Sequence, residues 1–340
     1  MDLTTNIAVA AIALVVTAML GFFVIPALRR LKYGQTILEI GPVWHKDKKQ
    51  GIPTMGGVMF IVGSVIAFGS GLLILWGKGL LGFDEVGNVN FFKSISGMLM
   101  ALCFGFVGFL DDYIKVRKKR NEGLTANQKI IFQVMIIAAY FTARVMSGDT
   151  STAITFPFFG QLDLWYFYYL IMGLAILYLV NAVNITDGID GLCGSVTLIY
   201  CAAFMVICSI LGFTELSVLS VAVAGGCLGF LVWNFYPAKV IMGDTGSMFL
   251  GGIVCALGIG AGAEVAMVFA AAVYIWEALT VLIQVAYFKF TKGRRLFRMT
   301  PIHHSFELRG WKEIKIVMVF SLIAVIGGVI AIFSVQNLFR

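Results

Sequence analysis

Charge is scarce in this chain of 340 residues. Asp, Glu, Lys and Arg make up 13% of it, where a soluble globular protein carries about 25%. Hydrophobic residues reach 60% and fall in long uninterrupted runs. That combination excludes a soluble domain and indicates an integral membrane protein. Cysteine motifs are also missing. Cys103, Cys193, Cys201, Cys208, Cys227 and Cys255 all lie in or at the edge of apolar runs, and none forms a C-x-x-C pair. They are expected to be small buried hydrophobes, not disulfides or metal ligands. No G-x-x-x-x-G-K-[ST] occurs, which excludes a Walker loop. There is no internal repeat, and no connection is long enough for a soluble domain. Residues 1–340 are therefore expected to form a single polytopic domain.

What the chain does have is spans. A transmembrane helix needs about 20 apolar residues. Ten segments qualify, near 5–28, 54–76, 92–110, 128–146, 164–183, 191–212, 216–234, 247–263, 265–288 and 314–335. The first has no basic flank and is too long for a cleavable leader's apolar core, so it is expected to be a span. All ten are expected to be helices, because lipid offers a lone backbone no other hydrogen-bond partners. The fold class is thus an all-α integral membrane protein of ten transmembrane helices. The segment "STAITFPFFGQLDLW" has a turn-like stretch from Pro157 to Gly160 and predicts a short hairpin between the fourth and fifth spans.

Basic residues set the orientation. Of the 25 Lys and Arg, only Lys78, Lys93, Arg144 and Arg340 fall in the even connections or beyond the last span. The rest crowd the odd connections. By the positive-inside rule these are cytoplasmic, and both termini are extracytoplasmic. The net charge of +7 then marks orientation and anionic head groups or substrates, not nucleic acid.

Every stretch that looks chemical falls in an odd connection. These are "HKDKKQGIPTMGG", "DDYIKVRKKR", "NAVNITDGIDG", "MGDTGS" and "PIHHSFE". Asp111 and Asp112 close the third span. Asn181, Asn184, Asp187 and Asp190 recur every three residues, which puts neighbours on one helix face until Gly188 and Gly191 break it. Asp244 lies in a Gly-flanked turn before the eighth span. There Gly243 and Gly246 would let backbone amides and a helix N-terminus meet a phosphate. A set of oxygens with few carboxylates suits magnesium, which takes phosphate oxygens as further ligands. Adjacent helical residues point about 100° apart. Asp111 and Asp112 are therefore expected to have different jobs, one facing the site and the other holding a basic group or helix end. His303 and His304 lie in a basic loop without cysteine, which favours phosphate contact over zinc. Lys129, at the edge of the third connection, is expected to be a further substrate contact. Glu277 is an intramembrane acid, either functional or bonded to Gln284 or a neighbouring helix. Together these features suit attack of a lipid phosphate on a nucleotide diphosphate at the bilayer surface. A transporter would place its site at the midplane, in broken helices.

On these residues the chain resembles the phospho-N-acetylmuramoyl-pentapeptide transferases, a branch of the polyprenyl-phosphate N-acetylhexosamine-1-phosphate transferases. The resemblance runs from about Lys46 to Trp311. "DDYIK", "NAVNITDGIDG" and "MGDTGS" resemble the wider superfamily, and "GIPTMGG" and "RMTPIHHSFELRGW" the muramoyl-pentapeptide branch. It implies magnesium-dependent transfer of phospho-MurNAc-pentapeptide from UDP-MurNAc-pentapeptide to undecaprenyl phosphate, giving lipid I and UMP. It also implies a homodimer in the bacterial plasma membrane with its cleft facing the cytoplasm. Asp111, Asp112 and Asp244 match the family's essential acids, Asp244 its magnesium ligand and His303 its essential first histidine. Asp111 matches the residue that either deprotonates the lipid phosphate or attacks covalently, and the resemblance leaves both open. Lys49, Thr54, Asn184, Asp187, Asp190 and Asn234 match positions around the uridine and ribose pocket. The chain departs from the pattern at Ser305, where a third histidine is frequent. It departs again at Ile241, where an aromatic is frequent, so stacking on uracil would either be weaker or fall to Phe235 or Tyr236. A sister transferase using UDP-GlcNAc would share the acids but not "PIHH".

Overall fold

A computed structural model describes residues 2–31, 51–81, 85–118 and 122–336. The chain order is α1 (Leu3–Arg30), α2 (Gly57–Gly77), α3 (Glu85–Lys118), α4 (Ala126–Met146), β1 (Ala153–Phe156), β2 (Gly160–Asp163), α5 (Phe167–Thr186), α6 (Leu192–Ile210), α7 (Thr214–Asn234), α8 (Gly243–Gly260), α9 (Glu264–Ala270), α10 (Ala272–Phe290), α11 (Ile302–Glu307) and α12 (Glu313–Gln336). Among the described residues, ten of these helices are long and apolar enough to cross a membrane. They are all but the short α9 and α11. β1 and β2 pair antiparallel, Phe156 opposite Gly160, as the hairpin expected between the fourth and fifth spans.

The bundle is built around α8, which is buried over almost its whole length. It packs against α3 and α5 and also touches α2, α6, α7 and α9. Close approach is possible because the contact residues are small. Gly108 of α3 lies against the Asp244 carbonyl, and a Cβ there would run into it.

Three segments differ from the expected boundaries. α3 does not end at residue 110 but continues to Lys118, so Asp111 and Asp112 lie inside a helix. A helix satisfies its own backbone, and Lys115, Arg117 and Lys118 in the last turn suit the negative end of its dipole. Asp244 is not in a turn. α8 starts at Gly243, which has φ 71°, and Asp244 belongs to the first helical turn. The ninth span is two pieces, α9 and α10, divided at Ala271.

The start of α4 is fixed by a reciprocal cap. Thr125 Oγ1 accepts from the Gln128 amide at 3.3 Å, and Gln128 Oε1 accepts from the Thr125 amide at 3.0 Å. This sets Lys129 in the first turn of α4. The segment before α2 is tied to the segment before α8. Pro53 O accepts from Ile241 N at 2.9 Å, and Gly56 N and Gly57 N donate to Ile241 O and Met242 O. The "GIPTMGG" stretch is therefore zippered to "IMGDTGS" and not a free entry to the second span.

Candidate active site

The end of α3, the start of α4, the end of α5 and the start of α8 meet at one end of the bundle. Asp111, Asp112 and Asp244 each bring a carboxylate oxygen within 4.8 Å of the others. α8 begins with unpaired amides and no capping side chain of its own, because Met242 holds the cap position. Asp112 of α3 supplies the cap. Its Oδ1 accepts from the Asp244 amide at 3.2 Å, and its Oδ2 from the Thr245 amide at 2.9 Å and hydroxyl at 2.7 Å. A carboxylate is well placed at the positive end of a helix dipole. The amides expected to meet a phosphate are thus already taken by Asp112.

Asp111 faces elsewhere. Its Oδ1 accepts from the Leu124 amide at 2.7 Å. Its Oδ2 lies 2.6 Å from Lys115 Nζ and 3.0 Å from Lys129 Nζ, without an aligned hydrogen bond to either. Both ammonium groups donate to Asp244 Oδ2 at 3.0 Å. Asp244 Oδ1 accepts from Asn184 Nδ2 at 2.9 Å. A buried and a half-buried carboxylate so close would repel strongly at low dielectric, and the two lysines between them offset that. Lys115 and Lys129 remain 31% and 25% exposed. The cations are therefore open to solvent, while Asp111 behind them is fully buried.

Lys115 is the residue that sequence reading missed, having counted it only as part of a basic run. The signal was there: an acid four residues before a lysine on one helix face. It became visible only once α3 was known to continue. Thr54 joins the same group, since a Cβ on Gly243 would lie 2.7 Å from Thr54 Oγ1 and 2.5 Å from Asp112 Oδ2. Lys49 lies outside the described residues.

The asparagine and aspartate series divides among several jobs, because α5 stops at Thr186. Asn181 exchanges hydrogen bonds with Gln133 of α4. Asn184 reaches Asp244 and also Ser247 Oγ at 2.8 Å. Asp187 occupies the C-terminal cap of α5. Asp190 and Asn234 are buried and tie loops together. Asp190 Oδ2 accepts from Ala238 N at 2.9 Å, while its own amide donates to Glu313 Oε2 at 3.0 Å. Asn234 accepts from Gly191 N at 3.1 Å and donates to Val240 O at 2.9 Å. The nearby Phe235 and Tyr236 are exposed, and Phe235 lies against Gly191.

His303 and His304 arrive on α11. His304 Nδ1 lies 2.6 Å from Glu307 Oε2. His303 is fully buried, with Nδ1 3.1 Å from Oε2 of Glu277 on α10. Gln284 is not the partner of Glu277. Its Oε1 instead accepts from the amides of Leu296 and Phe297 at 3.1 and 2.9 Å.

A magnesium ion suits this donor set. Asp111 Oδ2 is a buried carboxylate oxygen without a hydrogen bond. With Asp244 beside it, it offers the one or two carboxylates that magnesium takes alongside water and phosphate oxygens.

Fold and site together define a polytopic membrane protein with an acid-and-lysine centre at one end of its helices. The family model described as glycosyl transferase family 4 matches residues 94–262. A phospho-N-acetylmuramoyl-pentapeptide-transferase signature matches residues 49–61. Relatives with that printed name are similar over almost the whole chain. The protein from Pelotomaculum thermopropionicum is 43% identical over 91% of both chains, and that from Clostridioides difficile 42% over 96% of both. The protein from Desulforamulus reducens is 40% identical over 99% of this chain and 98% of its own. The chain belongs to the phospho-N-acetylmuramoyl-pentapeptide-transferase family.

Proposed function

We propose that the chain transfers phospho-MurNAc-pentapeptide from UDP-MurNAc-pentapeptide to undecaprenyl phosphate, forming lipid I and UMP for peptidoglycan synthesis. The observation that carries this is the Asp111–Asp244 pair bridged by Lys115 and Lys129, in a chain about 40% identical to transferases so named. In this reading Lys115 and Lys129 turn from the carboxylates to the diphosphate. Electrostatic stabilisation by fixed cations is the largest lever on phosphoryl transfer. Asp244, with Asp111 beside it, would hold magnesium, which when bound screens the negative charge of the diphosphate. Asp112 keeps the first turn of α8, and hence Asp244, in register with α3.

Two routes fit Asp111. It can take the proton of the lipid phosphate, whose oxygen attacks the sugar-linked phosphorus while the bond to UMP breaks. Alternatively, its carboxylate attacks that phosphorus first, and the lipid phosphate displaces it. One displacement inverts configuration at phosphorus and two retain it. His303, His304, Asn184, Asp187, Thr54 and Lys49 are proposed contacts of the nucleotide. Asp190 and Asn234 would shape its pocket through the loops they hold. The excess of lysine and arginine on this side supports a cytoplasmic cleft and extracytoplasmic termini in a bacterial plasma membrane. A homodimer is part of the proposal.

The test incubates purified protein with UDP-MurNAc-pentapeptide, a polyprenyl phosphate and magnesium, and follows UMP. Release of UMP with this donor and not with UDP-GlcNAc is the expected result. Preference for UDP-GlcNAc would move the chain to the sister reaction. Substrate movement across vesicles without UMP would indicate a transporter.

A further inference from the structure

Glu277 is a carboxylate inside a membrane helix with 0% exposure. A charge at such depth is costly and needs a partner. Thr280, one turn on, gives its hydroxyl to the Glu277 carbonyl and not to the carboxylate. Neither carboxylate oxygen has a hydrogen bond among the described residues. The same holds for both ring nitrogens of His303, which is also fully buried. Nδ1 of His303 lies 3.1 Å from Oε2 of Glu277, and the His304 ring packs edge-on against the His303 ring with centroids 4.2 Å apart.

The chain invests several contacts in this meeting. Gln284, two turns along α10, accepts two amides of the loop that leads to α11. That folds α11 back onto the helix carrying Glu277. On the other side of the ring is Gly188, at the turn between α5 and α6. A Cβ there would collide with His303 Nε2. The imidazole is therefore held edge-on, with Nδ1 toward Glu277 and Nε2 toward the turn that carries Asp187 and Asp190. The other charged groups on the packed elements are His304 and Glu307 of α11, Lys289 at the end of α10, and Lys315 and Glu313 at the start of α12, where Glu313 holds the Asp190 amide.

We infer that Glu277 is a positioning residue for His303: its carboxylate accepts a hydrogen bond from Nδ1–H and so assigns Nε2 to the donor substrate. The inference rests on the proposed transferase function. A carboxylate on one imidazole nitrogen fixes the tautomer and ring orientation at the other. It also stabilises the imidazolium that forms if Nε2 is protonated beside an anionic diphosphate. The contact is close without being an aligned hydrogen bond, as catalytic contacts often are before substrate binds.

The experiment compares wild type, Glu277→Gln, Glu277→Asp and His303→Gln in UMP release. It adds ring ¹⁵N spectra of histidine-labelled protein. Three histidines, His45, His303 and His304, keep those spectra assignable. Glu277→Gln is expected to lower kcat about 10²-fold or more, as loss of an oriented acid–base group does, with KM for the donor little changed. Glu277→Asp should recover part of that loss. The His303 ring signals should lose their Nδ1–H pattern in Glu277→Gln. Wild-type kcat together with unchanged ring signals in Glu277→Gln would overturn the inference. If Glu277→Gln does not fold, Glu277→Asp and the pair Glu277→Asp/His303→Gln decide. An aspartate that costs nothing further once His303 is gone supports the coupling, and a fully additive loss overturns it. Wild type that releases no UMP would instead sink the transferase reading, and the ring spectra remain a test without it.

Discussion

Among the described residues, a charge cluster lies at each end of α4, and the two differ in how open they are to solvent. Lys129 and Arg144 lie on the same helix 15 residues apart, about 22 Å at 1.5 Å per residue. At the Arg144 end, Nε and Nη2 both reach Asp149 Oδ2, at 2.7 and 2.6 Å, and Nη1 reaches the Tyr168 hydroxyl at 3.4 Å. Tyr168 in turn donates to Glu264 Oε1 at 2.7 Å, and Lys93 lies 3.6 Å from Asp149 Oδ1. This network ties α3, α4, α5 and α9 together out of contact with solvent. Each end holds one buried carboxylate oxygen without an aligned hydrogen bond, Glu264 Oε2 here and Asp111 Oδ2 at the other, but at the other end the lysines are partly exposed. The chemistry is the same, carboxylate against cation. Enclosure makes the first a clamp, because its partners cannot be exchanged. Access to solvent would let the second trade lysine contacts for phosphate or metal, as the proposed function requires.

Substitutions can break that contrast. Asp244→Asn should have the largest effect, cutting UMP release by about 10³-fold or more, the scale of losing a key electrostatic group. Its melting temperature should move little. Chelating divalent cations from wild type should stop UMP release as fully and reversibly. Near-normal turnover in either case would remove the metal assignment. Arg144→Ala should do the reverse. Breaking a buried pair costs about 3–5 kcal/mol, seen as a large drop in melting temperature in detergent, while surviving protein keeps its kcat. A third variant, Lys129→Met, should raise KM for the donor about tenfold or more, since a hydrogen bond from a charged group contributes roughly 1.5–3 kcal/mol. An unchanged KM would place Lys129 outside the diphosphate site. Tyr168→Phe sharpens the comparison with the smallest change, about 1 kcal/mol of stability for one neutral hydrogen bond, and none in UMP release.

Much of this was legible in the chain because lipid is an unforgiving solvent. An apolar run of about 20 residues has one way to satisfy its backbone, so helix number and the hairpin at Pro157 followed from pattern alone. Asp111, Asp244 and His303 stood out because charge is rare here. Their partners did not. Lys115 was hidden because an acid at the end of an apolar run looks like the end of a helix, whereas the helix continues to Lys118. Asp190 and Asn234 look like site residues by type, yet their hydrogen bonds hold loops. Glu277 was visible as an anomaly, but its partner was not, because His303 is 26 residues away along a loop whose path no local signal gives.

The sequence by itself determined that the protein is a helical membrane bundle, how many helices are long enough to span, and which connections gather the candidate site residues. Those are local properties, decided by transfer of apolar side chains and backbone amides into lipid. Only the tertiary structure decided which of two adjacent aspartates caps α8 and which faces the lysines, and which carboxylate meets His303. Those pairings depend on how α3 packs on α8 and how α11 folds back on α10, through contacts between residues far apart in the chain.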